Sequence, residues 1–136
     1  MGISANSFCP CGSGQKYKRC CKQYHDQSFQ PTPLALMKSR YTAYAIGNAG
    51  YIVETTHSEN REFKQNKELW KAEIETFCWA TTFHKLEILK SEIIHSEAFV
   101  TFRAIMSQGE KDISFTEKSR FLQENDRWLY RSGEFL

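Results

Sequence analysis

Four cysteines fall within the first 21 residues, as Cys9-x-Cys11 followed by the adjacent pair Cys20-Cys21. Four thiols this close can close one tetrahedral metal site, and zinc prefers four thiolate or imidazole ligands. The stretch between the pairs, Gly12-Ser13-Gly14-Gln15-Lys16-Tyr17-Lys18-Arg19, supplies glycines for tight turns and small residues that let amides approach sulfur. The spacing therefore predicts a small zinc knuckle over residues 1–26, with Cys9, Cys11, Cys20 and Cys21 as ligands. Paired disulfides are the competing reading, but they belong to oxidising compartments. Met1 to Phe8 has neither a basic start nor an apolar stretch, so no signal peptide is read there. No run of 18 apolar residues exists to span a membrane. A reducing, cytoplasmic setting and a metal site are the expectation.

The charges agree with thiolates. Residues 1–25 carry Lys16, Lys18, Arg19 and Lys22 and no carboxylate, whereas the whole chain has a formal charge of only +2. Cations beside a sulfur cluster favour the ionised form. The same basic surface suits an anionic partner, an acidic protein face or RNA, although the thiolates alone account for it.

The segment Phe8-Cys9-Pro10-Cys11-Gly12-Ser13-Gly14 through Tyr17 to Cys20-Cys21 resembles the SEC-C motif, the zinc-binding tail of the SecA translocation ATPase. That resemblance implies zinc as the metal. It also implies a protein or ribosomal partner, since the SecA tail contacts the chaperone SecB and ribosomes.

The remainder, residues 27–136, reads as one domain, at 40% hydrophobic and 14% aromatic residues for the whole chain. Thr32 is placed to cap a helix opened by Pro33, with Leu34, Met37, Tyr41 and Tyr44 on one face and Arg40 off its centre line. Gly47-Asn48 stops it. A short helix is expected over 49–56, and a third over about 67–77, capped by Asn66 and burying Trp70, Ile74 and Phe77. After Cys78 the period becomes two. Strands are expected at 82–94, 97–107, 112–123 and 127–133, with turns at Gln108-Gly109-Glu110 and Asn125-Asp126. Helices followed by an antiparallel meander give an α+β fold, three helices on a four-stranded sheet.

Alternation along the third strand puts Ile113, Phe115, Glu117, Ser119 and Phe121 on one face. A carboxylate and a hydroxyl thus interrupt an apolar row. An unpaired buried carboxylate costs several kcal/mol, so Glu117 needs either a cation, for which Arg40 is the candidate, or a wet hollow. Tyr41, Tyr44, Trp128 and Tyr130 join Glu117 and Ser119 as candidate pocket residues. His57 is read as interacting with the negative end of the second helix, and His84 and His95 as surface residues. His25 is a remote alternative metal ligand. Cys78, between Phe77 and Trp79, is read as a buried, inert thiol.

The knuckle, Leu36-Met37-Lys38-Ser39-Arg40-Tyr41-Thr42-Ala43-Tyr44, Phe115-x-Glu117-x-Ser119-x-Phe121 and Trp128-x-Tyr130-x-x-Gly133 together resemble the bacterial YchJ family. This likeness spans nearly the whole chain. It implies a nuclear transport factor 2-like (NTF2-like) cone of helices on a curved sheet. Members of the family carry His before the third-strand acid, where this chain has Thr116. Two functions follow as expectations: a zinc-binding adaptor working through its knuckle, or a small-molecule binder or enzyme whose pocket lies around Glu117 and Ser119.

Overall fold

The computed structural model describes residues 2–136. A 3-10 turn, Tyr17–Arg19, and helix α1, Cys21–His25, complete the cysteine segment. Helices α2 (Pro33–Ile46), α3 (Ala49–Glu54) and α4 (Lys67–Ala80) follow, then strands β1 (Thr82–Ile94), β2 (Glu97–Gln108), β3 (Lys111–Asp112), β4 (Phe115–Glu124) and β5 (Arg127–Phe135). The strands form one antiparallel sheet in the order β1-β2-β4-β5, with β3 a two-residue addition beside β2. The α+β class holds, and α1 within the knuckle is an addition to it.

Caps fix the helix starts as the sequence suggests. The Thr32 side chain accepts from the Ala35 amide at 3.2 Å, and Asn66 from the Leu69 amide at 3.1 Å. Asn48, expected as part of a helix stop, also caps α3 through the Tyr51 amide at 3.1 Å. Gly47, at φ 78°, ends α2 in the left-handed region that glycine enters freely.

Helix α2 departs from a one-sided stripe. Leu36, Met37, Ser39, Arg40, Tyr41, Thr42 and Ala43 are all buried, because the cysteine segment packs on one side of α2 and the sheet on another. Arg40, expected at the edge of the stripe, is thus inside.

The expected strand over 112–123 is broken. Ser114 interrupts it: its hydroxyl accepts from the Met106 amide at 3.0 Å and donates to the Met106 carbonyl at 3.3 Å, doing the work of a backbone ladder. The register is the same on both sides of the break, so Ile113 falls opposite Met106, its amide donating to the Met106 carbonyl at 3.0 Å, and it packs against the core. Phe115, Glu117, Ser119 and Phe121 stay in register, opposite Ala104, Phe102, Val100 and Ala98 of β2. These eight positions form the centre of the concave face, over which α2 and α4 lie.

Candidate functional site

The cysteine segment builds a compact sulfur cluster. Phe8 and Lys16 bridge as a miniature hairpin, and the Cys9 amide donates to the Gln15 carbonyl at 2.8 Å. Gly12 (φ 82°) and Gly14 (φ 83°) turn the chain between the pairs. The sulfurs of Cys9, Cys11, Cys20 and Cys21 all lie within 4.8 Å of one another, and Cys11 and Cys20 are 3.6 Å apart. In a tetrahedral zinc–thiolate site with bonds of about 2.3 Å, sulfurs sit about 3.8 Å apart. The cluster therefore fits a metal, and all the thiols are free. Its electrostatics fit as well. S–H donors from Cys11 and Cys21 hold the Cys9 thiol far below its ordinary value. Hydrogen bonds to Cys11 and Cys9, followed by burial, push Cys21 far above it. A charge on Cys9 makes its neighbours Cys11 and Cys21 harder to ionise. A divalent metal removes that resistance.

The cluster is fastened to the cone. Cys9 Sγ lies 3.6 Å from Thr42 Oγ1 on α2. His25 Nε2 lies 2.8 Å from the Ser39 carbonyl, which fixes the ring proton there, so Nδ1 accepts from Tyr17 OH at 2.7 Å. With both nitrogens engaged, His25 bridges knuckle and cone and does not stand among the sulfurs. Its ring packs on Tyr51 at 4.6 Å. Burial first of all lowers its pKa, so the neutral ring is favoured.

The second feature is a cavity of about 710 Å³ inside the cone. Its wall is mostly aromatic: Tyr41 and Tyr44 from α2, Trp70 and Phe77 from α4, and Phe83, Phe102, Phe115, Phe121 and Tyr130 from the sheet. Arg61, Glu62, Glu73 and Phe135, all exposed, border the opening. Of the candidate pocket residues, Tyr41, Tyr44, Glu117, Ser119 and Tyr130 line this space. Trp128 does not. It lines a separate groove of about 70 Å³ with Tyr24, Phe29 and Pro31, because the twisted sheet carries the start of β5 past α3 toward the linker.

Glu117 is the polar centre of the cavity. Tyr130 OH donates to its Oε2 at 3.0 Å, and Ser119 Oγ donates to the same oxygen. Glu117 Oε1 meets no donor among the described residues. Tyr130 is held in turn: its amide donates to the Thr55 carbonyl and its carbonyl accepts from the His57 amide, both at 2.9 Å. Burial and then the Glu117 charge raise the Tyr130 phenol well above its usual range, so it stays a donor. Burial pushes Tyr41 up to about 12 and raises Tyr44 as well.

The expected Glu117–Arg40 pairing is not made. Arg40 Nη1 donates instead to Thr55 Oγ1 at 2.7 Å, Thr56 Oγ1 at 3.1 Å and the Ile52 carbonyl at 3.2 Å, at the end of α3. Its guanidinium carbon sits 4.6 Å from the centre of the ring of Tyr130, the residue whose hydroxyl donates to Glu117. His57 also departs from expectation. It lies beyond α3, its Nδ1 accepts from the Glu59 amide at 3.0 Å, and Nε2 pairs with Glu124 across the sheet end. His84 and His95 are exposed, as expected. Cys78 is buried, and burial raises its thiol to about 11.

Gly133 is a residue that sequence reasoning quoted but did not interpret. A Cβ built there would stand 2.5 Å from both Glu117 Cδ and Tyr130 Oη. The glycine in Trp128-x-Tyr130-x-x-Gly133 is the space the carboxylate occupies.

A cone of helices on a curved antiparallel sheet, entered through a cysteine knuckle, defines an NTF2-like protein with a SEC-C motif. Family models agree: the YchJ middle NTF2-like domain matches residues 32–133 and the SEC-C motif residues 6–23. The chain belongs to the YchJ family, known among curated proteins as UPF0225. It is 38% identical over 134 residues to a UPF0225 protein of Haemophilus influenzae, covering 96% of this chain and 79% of that one. A Streptomyces coelicolor UPF0225 protein is 33% identical, with 94% and 95% covered. Among solved structures, a SEC-C motif containing protein from Rhodopseudomonas palustris superposes with a TM-score of 0.79 at 32% identity, covering 94% of this chain and 98% of that one. An LEH-like epoxide hydrolase of M. tuberculosis shares the fold, with a TM-score of 0.53 at 11% identity, covering 74% of this chain and 80% of that one.

Proposed function

We propose that this protein is a small-molecule-binding cone stapled by zinc, and that its ligand is compact, largely apolar and carries a hydrogen-bond donor for Glu117. The observation that carries this reading is Glu117 Oε1, an acceptor without a donor among the described residues, in an aromatic cavity of about 710 Å³. Ligand sites run from about 300 to 1,000 Å³, with apolar walls and a few polar groups that orient the guest. Tyr130 and Ser119 hold the carboxylate by one oxygen and leave the other for a guest.

Zinc would be held by Cys9, Cys11, Cys20 and Cys21. Four protein ligands leave no open position, so its role is structural. It would fix the face of α2 that carries Ser39 and Thr42, and thereby the opposite face that carries Arg40, Tyr41 and Tyr44 into the cavity. A reducing cytoplasm would keep the thiols available for metal.

The test uses the methionines. Met37 and Met106 both line the cavity. With 13C-methyl methionine label, p-cresol should shift both signals saturably, and Glu117→Gln should weaken its binding. Unmoved methyl signals at saturating p-cresol refute the reading.

One observation favours a second role for the knuckle. Phe8 is 75% exposed, and Lys16, Lys18 and Arg19, also exposed, form no ion pair among the described residues. This apolar and basic face would suit an acidic protein surface, SecB-like or ribosomal by resemblance. RNA is the weaker alternative. If so, a K16E/K18E/R19E variant should lose every partner that wild type captures, while keeping its metal.

A further inference from the structure

The chemistry of the cavity narrows its guest further. Arg40 is 7% exposed and permanently charged, yet it has no carboxylate partner among the described residues. Nη1 takes all three of its acceptors, from Ile52, Thr55 and Thr56. Nε and Nη2 have none within hydrogen-bond reach among the described residues, and the side chain borders the cavity. Against the Tyr130 hydroxyl, Glu117 has the mirror-image deficit, with Oε2 doubly bonded and Oε1 free. Two opposite charges thus share one cavity without closing on each other, each with hydrogen-bonding capacity left.

The free atoms, Glu117 Oε1 and Arg40 Nε and Nη2, are not sealed in protein, and a low-dielectric surround strengthens attraction for a group of opposite sign. Either charge alone would select a simple cation or a simple anion. Both together repel one end of each. A guest with both signs satisfies the pair and leaves the cavity neutral.

Resting on the small-molecule reading above, we propose that the cavity takes a zwitterion, an α-amino acid with a bulky apolar or aromatic side chain. Its ammonium donates to Glu117 Oε1, its carboxylate accepts from Arg40 Nε and Nη2, and its side chain packs among Phe77, Phe102 and Phe115. Both ends lie against one residue: the guanidinium carbon is 4.6 Å from the centre of the Tyr130 ring, whose hydroxyl is 3.0 Å from Glu117 Oε2. Arg can grip the carboxylate with two parallel donors, which gives orientation as well as attraction.

The test titrates metal-loaded protein with L-phenylalanine, phenethylamine, 3-phenylpropionate and p-cresol, read by calorimetry and by the Met37 and Met106 methyl signals. Phenylalanine should bind at least about tenfold more tightly than the amine, which lacks the carboxylate, and than the acid, which lacks the ammonium. Glu117→Gln should bring phenylalanine down to the level of 3-phenylpropionate. Arg40→Lys keeps the charge but not the fork, and should weaken phenylalanine by a larger factor than p-cresol. Should the lysine variant fail to fold, the wild-type series decides by itself. An amine or an acid that matches phenylalanine overturns the zwitterion. So does binding of p-cresol without phenylalanine, which leaves the pocket reading intact. No binding by any of the four overturns both.

Discussion

Gly133→Ala is the sharpest probe of how the Glu117 site is built. The added methyl would stand 2.5 Å from Glu117 Cδ, 2.5 Å from Tyr130 Oη and 2.6 Å from Glu117 Oε2. These are the tips of side chains and not backbone, so the sheet need not break; the carboxylate and phenol must part. A hydrogen bond to a charged group contributes about 1.5–3 kcal/mol. The Tyr130 bond is lost and the Ser119 bond is strained, while the displaced carboxylate regains some water in the cavity. Replacing a strand glycine restores about 0.5–1 kcal/mol. The net expectation is a destabilisation of about 1–2 kcal/mol, or roughly 3–8 °C in Tm for a domain of this size. Urea unfolding of metal-loaded protein, followed by tryptophan fluorescence, measures it. The same substitution in a Glu117→Ala background should cost less, because the methyl then meets only the Tyr130 hydroxyl, which can move into the space the carboxylate vacated. An equal cost in both backgrounds would refute the account, since the methyl would then be meeting something other than the carboxylate.

Three further outcomes are expected. His25 has a lowered pKa because burial disfavours its charge. The unfolded state therefore binds the proton more readily, so the stability His25 contributes is present above about pH 6.5 and is lost as pH falls below it. The stability gap between wild type and His25→Gln, measured at saturating zinc, should narrow from pH 7 to pH 5; a gap that widens contradicts the bridge to Ser39. Cys78, buried with its thiol at about 11, should resist iodoacetamide in the folded protein and react on unfolding; alkylation at the rate of a free thiol counts against its placement. Removing metal with a chelator should lower the Tm of the cone as well as open the knuckle, because Cys9 and His25 pack on α2; an unchanged Tm means the two parts are not coupled.

Much of this molecule is legible where local chemistry decides. Thr32 and Asn66 mark helix starts because a short polar side chain reaches the open amides, whereas Asn48, read as part of a helix stop, turns out to cap α3. The cysteine spacing brings the sulfurs together because Gly12 and Gly14 turn the chain between them. Alternation places Glu117 and Ser119 on the concave face. Contacts between distant segments were less visible. Nothing near Arg40 in sequence announces that α2 is covered on two sides, nor that Thr55 and Thr56 take its donors. The break at Ser114 depends on a side chain imitating backbone, which periodicity cannot register. Trp128 has the right parity for the cavity, but twist moves it to the linker groove. Gly133 has no side chain to suggest a role, and its meaning lies in the carboxylate above it.

The central claim is a zinc-stapled cone whose hollow seats a donor-bearing guest on Glu117. A crystal structure of metal-loaded protein soaked with p-cresol tests it most directly. The expected result is the phenol inside the cavity, its hydroxyl about 2.5–2.8 Å from Glu117 Oε1, and one metal among Cys9, Cys11, Cys20 and Cys21. A cavity closed by its own side chains, or a phenol bound only elsewhere, would contradict it.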